Sequence, residues 1–140
     1  MKANVAAILF SVVLVGIIST VVLAEEKFGV KIYPGAVLDV KMTKSLNGPG
    51  NSSEMALYTT KDDITKVFDF YKKQPALKQM GTGLTTQEGG RRGAMFTGNK
   101  IMLTIERPYL DMTTAKFDEK KGVTGTLINA TLISIGKEKK

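Results

Sequence analysis

The segment from Thr60 to Gln74, TKDDITKVFDFYKKQ, has the clearest helical period after the N-terminus and constrains the fold most strongly. Its apolar side chains recur at i, i+3, i+4 and i+7, which places them on one face of an α-helix: Ile64, Val67, Phe68 and Tyr71. Burying four such side chains gains roughly 6–12 kcal/mol, whereas fixing the backbone costs ~1–2 kcal/mol per residue. The sequence therefore predicts a helix that is stable only when a sheet covers its apolar face.

Both ends of this helix are marked in the sequence. Thr60 and Asp63 have the spacing of a capping box with a shorter acid, and acidic residues are favoured at a helix N-terminus. Pro75 ends or kinks the helix because proline removes a backbone donor. We expect one further turn over Ala76 to Met80, with Gly81 as a left-handed stop.

Alternating apolar and polar residues predict a β-hairpin that leads into this helix. Leu38, Val40 and Met42 alternate with polar residues, as in a strand with one solvent-exposed face. Asn47 to Ser53, NGPGNSS, is predicted to be a loop, and the alternation after it predicts a second strand over 54–59.

Further strands are predicted after the helix. Residues 83–88 and 94–97 flank the glycine-rich turn 89–93 and suggest a second hairpin. Ile101, Leu103 and Ile105 form the strand with the best alternation.

The sequence pattern is less regular after residue 106. Residues 107–122, which contain Pro108, are predicted to be a mostly irregular loop. Residues 123–135 are predicted to be the last strand, with a change of face near 128–130 that indicates burial on both sides or a bulge.

The expected fold class is α+β, an antiparallel sheet of about five to six strands with one main helix packed on one face.

The N-terminal residues 1–24 resemble a secretory signal peptide. One lysine precedes a long apolar run, and Val22-Leu23-Ala24 provides a cleavage site before Glu25. The alternative is a retained membrane anchor, since the run is about as long as the ~20 residues that span a bilayer. We expect an exported protein, periplasmic or secreted, or anchored in the inner membrane if residues 1–24 are kept, with one domain over 25–136 and a basic tail over 137–140.

Composition limits the chemistry of this domain. The chain has no cysteine and no histidine, which removes thiol redox chemistry and histidine-based metal or acid–base sites. Lys2 is the only charged residue before Glu25, so the part from Glu25 onward keeps 19 basic and 13 acidic residues, a net charge of +6. We expect no enzymatic activity, no cofactor and no metal site.

Two strings resemble those of uncharacterised exported bacterial envelope proteins. They are Tyr33-Pro34-Gly35-Ala36, followed by a strand, and the helix of residues 60–72 with its D-x-x-x-V-x-x-F-Y-K pattern. The resemblance covers about the first half of the domain and implies an α+β domain located in the envelope. It implies no reaction and no ligand.

The candidate binding surface in this sequence is basic. If the turn of the second hairpin folds toward the C-terminal end of the helix, several cations converge on one candidate patch for an anionic partner: Lys72, Lys73, Arg91, Arg92 and Lys100. Scattered solvated charge is the simpler interpretation of the same residues. Nucleic acid is not expected, because the sequence contains no reader motif.

These observations predict a non-catalytic domain that binds a protein partner or an anionic envelope component. The alternative is a small-ligand-binding or weakly catalytic domain with a pocket between helix and sheet.

Overall fold

The computed structural model describes residues 25–140, so the predicted signal peptide or anchor lies outside the described residues. Short strands and one short helix come first: β1 (Glu26–Lys27), β2 (Val30–Lys31), β3 (Val37–Leu38) and α1 (Val40–Leu46). The middle of the chain forms β4 (Ser53–Thr60), α2 (Ile64–Lys72), β5 (Lys78–Thr86), β6 (Arg92–Gly98) and β7 (Ile101–Arg107). The last elements are β8 (Tyr109–Leu110), β9 (Lys116–Asp118), β10 (Gly122–Thr124), β11 (Leu127–Ile128) and β12 (Thr131–Glu138).

Six of these strands form one antiparallel sheet in the order β3-β4-β12-β7-β6-β5. The last long strand lies in the middle, between β4 and β7, and its Ile133 and Ile135 are fully buried. A central strand is covered on both edges and buries its apolar side chains most completely. The structure confirms the predicted α+β class, the number of strands and the main helix packed on one face.

Helix α2 covers one face of the sheet. Its predicted stripe is buried as expected, with Ile64, Val67 and Tyr71 at 0–1% exposure. The N-terminal cap is Asp63, whose carboxylate accepts the Thr65 amide at 2.8 Å, so the helix begins one turn later than a Thr60 cap would place it. Helix α2 lies across β5, β6 and β7.

Helix α1 lies on the opposite face, where the sequence predicted a strand. The strand over Leu38 to Met42 is wrong, because only β3 is extended and Asp39 caps a helix by accepting the Met42 amide at 2.9 Å. Met42 and Leu46, one helical turn apart, pack with Leu57 in a second apolar cluster. The helical period was therefore present but too short to outweigh the alternation.

The same helix protects the edge of β4. Asn47 pairs with the backbone of Met55 in both directions, donating to its carbonyl at 2.6 Å and accepting from its amide at 2.7 Å. The Thr43 hydroxyl accepts the Leu57 amide at 3.0 Å. These side chains satisfy backbone groups that a neighbouring strand would otherwise pair.

The chain after α2 also differs from the sequence prediction. Residues 76–80 do not add a helical turn, since β5 begins at Lys78. Gly81 has the expected positive φ of 62°, but it lies where the pairing of β5 with β6 is irregular. The chain makes a turn over residues 74–77, where the Leu77 amide donates to the Gln74 carbonyl at 3.1 Å, and it leaves this turn extended as β5.

The C-terminal third is also more regular than predicted. The segment 107–122, expected to be an irregular loop, contains the strands β8 and β9, which pair with β11 and with β10. The last strand starts at Thr131 and continues to Glu138, into the predicted tail. The apparent change of face near 128–130 is the connection between β11 and β12.

Candidate partner-binding surfaces

Hydrogen bonds hold the N-terminal segment of the domain against α2. The Gln74 amide makes two hydrogen bonds with the backbone of Lys31, accepting from its N–H at 3.0 Å and donating to its carbonyl at 2.7 Å. The Tyr33 amide donates to the Tyr71 hydroxyl at 3.1 Å. Beneath these contacts Val30 and Ile32 belong to the main buried core. Hairpin β1–β2 and α2 therefore form the two walls of one rigid groove.

Two tyrosine hydroxyls make further hydrogen bonds in this region. Tyr33 donates to the Asp62 carboxylate at 2.6 Å, and this hydrogen bond, with burial, raises the pKa of Tyr33 to about 12. Tyr58 donates to Glu25 at 2.8 Å, where burial and the hydrogen bond raise the pKa of Tyr58 to about 12. Both tyrosines are neutral donors at physiological pH.

The groove between these walls is basic. It has a volume of about 570 Å³, and three exposed lysines line it beside a single carboxylate, Glu26: Lys31, Lys66 and Lys73. The partly buried Phe70 ring forms its apolar floor, held edge-on against Tyr33 at a centroid distance of 5.4 Å. None of the three lysines forms an ion pair within residues 25–140.

The structure does not gather the five cations of the predicted patch. Arg92 donates to the Thr65 hydroxyl at 3.5 Å, so the turn before β6 lies near the start of α2 and not near its end. Arg91 forms an ion pair with Glu106 at 3.3 Å.

The remaining three residues of that patch are also apart. Lys72 lies over the Phe68 ring at 5.8 Å from its centroid, and Lys73 lines the basic groove. Lys100 is in the turn between β6 and β7, beside the start of β7. Of the predicted set, only Lys73 lies in the groove.

The sequence prediction missed two lysines of the groove, Lys31 and Lys66, and only Lys66 could have been recognised from the sequence. Lys66, Phe70 and Lys73 have helical spacing and could have been grouped on one side of α2. Lys31 could not have been added, because it comes from a hairpin whose docking depends on the Gln74 contact.

A second candidate surface lies on the other side of the sheet. Helix α1 and the segment around Tyr109 cover the half formed by β4 and β12, and the half formed by β5, β6 and β7 is open. Three methionines on this open half are 39–49% exposed: Met80, Met95 and Met102. Two shallow grooves of about 530 and 390 Å³ meet there at Thr104.

A third feature is the β9–β10 hairpin. Phe117 and Val123 face each other across it and are 76% and 57% exposed. Lysines flank them at 116, 120 and 121.

The space between α2 and the sheet, where the alternative prediction placed a ligand pocket, is filled by side chains. Tyr71, Phe96 and Leu103 are fully buried there. The ring of Phe96 lies 5.6 Å from that of Phe68 and 6.2 Å from that of Tyr71, measured between centroids. This packing favours binding on an outer surface.

Within residues 25–140, no three acidic side chains lie close enough together to hold a metal ion. Neither helix of this part of the chain has the length and apolar content needed to cross a bilayer.

Comparison of the chain with protein-family models, curated proteins and solved structures gives no match. Function is therefore inferred from the surfaces themselves.

Proposed function

We propose that the protein is a non-catalytic binding domain that holds a partner bearing clustered anionic groups, with the groove between hairpin β1–β2 and α2 as its site. The observation that carries the proposal is the convergence of Lys31, Lys66 and Lys73 around the Phe70 ring. Only one carboxylate, Glu26, faces the three cations there.

The groove suits carboxylate or phosphate groups for two physical reasons. An apolar floor lowers the local dielectric, so each lysine attracts an anion more strongly than it would on an open surface. The walls are fixed by the Gln74 and Tyr71 hydrogen bonds, so little conformational freedom is lost when a partner binds.

The chemistry of the cations indicates a tolerant site. Lysine ammonium groups act as compact point charges and lack the planar, two-pronged geometry that arginine offers a single carboxylate or phosphate. Three of them on different backbone positions fit a surface with repeated charges better than one small ligand. An anionic envelope component of this kind agrees with the export signal predicted for residues 1–24 and with the resemblance to envelope proteins.

The residues of the sequence-predicted patch that lie outside the groove take a secondary role in this proposal. Lys72, Arg92 and Lys100 contribute to the +6 charge and to long-range attraction. Surface charges separated by more than a Debye length, about 8 Å at physiological salt, are largely screened from one another. Their contribution should therefore disappear first as salt rises.

Co-sedimentation with anionic and neutral vesicles, with a soluble acidic glycan as competitor, tests the proposal. The variant K31E/K66E/K73E should lose binding. A matched control, K44E/K61E/K120E, reverses three exposed lysines outside the groove and should bind almost as well as the unaltered protein. Thermal unfolding of both variants checks that the fold is kept.

The control arms distinguish the groove from the other surfaces. Equal losses in the two triple variants would show that only net charge matters and would overturn the groove. A larger loss in R91E/R92E than in the groove variant would return the site to the patch predicted from sequence. A loss confined to Phe117→Ser would move the contact to the β9–β10 hairpin.

A further inference from the structure

The open half of the sheet, formed by β5, β6 and β7, places methionines from these three strands next to one another. Met80 on β5 lies directly opposite Met95 on β6. Met95 lies opposite Thr104 on β7, and Met102 is two residues before Thr104 on the same strand. Opposite side chains start about 4.5–5.5 Å apart and diagonal ones about 7–8 Å apart, so the Met95 side chain is a neighbour of both Met80 and Met102 and lies between them.

The alternation of burial fixes the direction of the two central side chains. Met95 stands between Ala94 and Phe96, which are both buried under α2, so its side chain projects from the opposite face. Met102 stands in the same way between Ile101 and Leu103. Their thioethers therefore project into the two grooves that meet at Thr104.

A fourth methionine, Met55, borders the group formed by Met80, Met95 and Met102. Met102 lies opposite Gly136 on β12, and Gly136 lies opposite Met55 on β4. A Cβ atom at Gly136 would come within 2.6 Å of the Met55 sulfur, so this sulfur occupies the space above the glycine, on the side of Met102. Four of the six methionines in residues 25–140 thus lie on one face.

We propose that Met80, Met95 and Met102 form a binding site for a soft monovalent cation of the Cu(I) class, with Met55 at its border. Thioether sulfur is a soft ligand that selects Cu(I) over hard divalent ions. The unbranched methionine side chain has three rotatable bonds, which lets sulfurs from neighbouring positions turn toward one ion. The expectation that the chain holds no metal rested on its lack of histidine and cysteine and left thioethers out of consideration.

The polar side chains between the methionines favour this use over an apolar docking surface. Thr97, Thr104 and Ser134 separate the sulfurs on the same face, so the apolar area is interrupted by hydroxyls. The chain has no thiol and no imidazole, and the thioethers are therefore its only soft donors. Thioethers carry no proton to displace, so the affinity should depend little on pH, unlike that of a histidine or cysteine site.

The test uses Ag(I) as a redox-silent probe, added as the nitrate in chloride-free buffer to protein labelled with ¹³C in its methionine methyl groups. The methyl signals of Met80, Met95 and Met102 should shift together and saturate, and those of Met42 and Met112 should stay unchanged. In a separate titration without Ag(I), Cu(I) added without oxygen as its acetonitrile complex should shift the same three methyl signals, whereas Zn(II) should have no effect.

Leucine variants remove sulfur and keep an apolar side chain of similar size. Since loss of an outer hydrogen-bond partner alone lowers metal affinity about 10–100-fold, Met95→Leu should weaken Ag(I) binding by at least about tenfold and M80L/M95L/M102L should abolish it. Met112→Leu is the matched control, because Met112 is 55% exposed and lines neither of the two grooves.

Uniform shifts of all methionine methyls, absence of saturable binding, or unchanged Ag(I) affinity in the triple leucine variant would each overturn the proposal. Vesicle binding by the triple leucine variant should stay normal, so this inference and the proposed function fail independently.

Discussion

The two faces of the six-stranded sheet differ in how they are covered. On one face, α2 and the N-terminal segment bury a continuous core that includes Phe96, Leu103 and Ile133 at 0% exposure. On the other face, α1 covers only β4 and β12, and methionines and hydroxyl residues remain at the surface of β5, β6 and β7. The closed face supplies stability, and the open face is free for binding.

The contrast is visible within single strands. In β6, Phe96 points to the closed face and Met95 to the open one. In β7, Leu103 and Met102 divide in the same way. A period of two therefore separates a structural set of side chains from an accessible set without any change of backbone.

Truncating two neighbouring side chains of β6, one on each face, gives the largest expected effect and tests the difference between the faces most directly. Phe96→Ala should lower the free energy of unfolding by about 3–5 kcal/mol, since it leaves a cavity in a packed core. Met95→Ala should change it by only about 0.5 kcal/mol, as surface substitutions do. Urea denaturation of both variants measures the difference. Similar losses would show that the open face is also covered.

A second substitution tests whether α1 stabilises the covered half of that face. Asn47→Ala removes both hydrogen bonds to the Met55 backbone and leaves the two groups unpaired, which should cost about 1–3 kcal/mol. Ser45→Ala on the same helix is the control, because Ser45 is exposed and its hydroxyl donates only to Lys41 of its own helix. If the two variants lost equal stability, the edge of β4 would not depend on α1.

The smallest expected effect concerns the helix that closes the other face. Asp63→Ala should cost about 0.5–2 kcal/mol at neutral pH, the usual loss for an N-terminal cap. Asp69→Ala, on the exposed side of α2, should cost less.

The cap should also depend on pH in a definite direction. Hydrogen bonding by Thr65 holds the pKa of the Asp63 carboxyl below its usual value. The ionised cap therefore contributes stability above the unfolded-state pKa of about 3.9, and this contribution is lost as pH falls through the folded-state pKa. The penalty of Asp63→Ala should shrink in acid denaturation curves, and a penalty that does not change with pH would contradict the cap.

Some features of the fold follow from local sequence alone. The stripe of Ile64, Val67, Phe68 and Tyr71 predicted α2 because four apolar residues at helical spacing can share only one face. The alternation in Ile101, Leu103 and Ile105 predicted β7 for the corresponding reason. These signals extend over enough residues to outweigh competing patterns.

Other features were decided by tertiary contacts. Residues 38–42 carry a strand-like alternation, yet most of them form part of helix α1, whose cap Asp39 accepts the Met42 amide. The helix also brings Thr43 and Asn47 to the backbone of β4, where they accept the Leu57 and Met55 amides. Residues 123–135 contain enough β-branched residues for one strand, but pairing of β11 with β8 divides them.

The candidate sites show the same division between local and tertiary information. The sequence by itself determined that the domain is basic, lacks thiols and imidazoles, and carries an amphipathic helix with lysines on its outer side. Only the tertiary structure decided that Lys31 joins Lys66 and Lys73, and that Met80, Met95 and Met102 share one face. The physical reason is that these groups come from different elements, so their proximity depends on strand register and on the docking of the N-terminal hairpin, which no local pattern encodes.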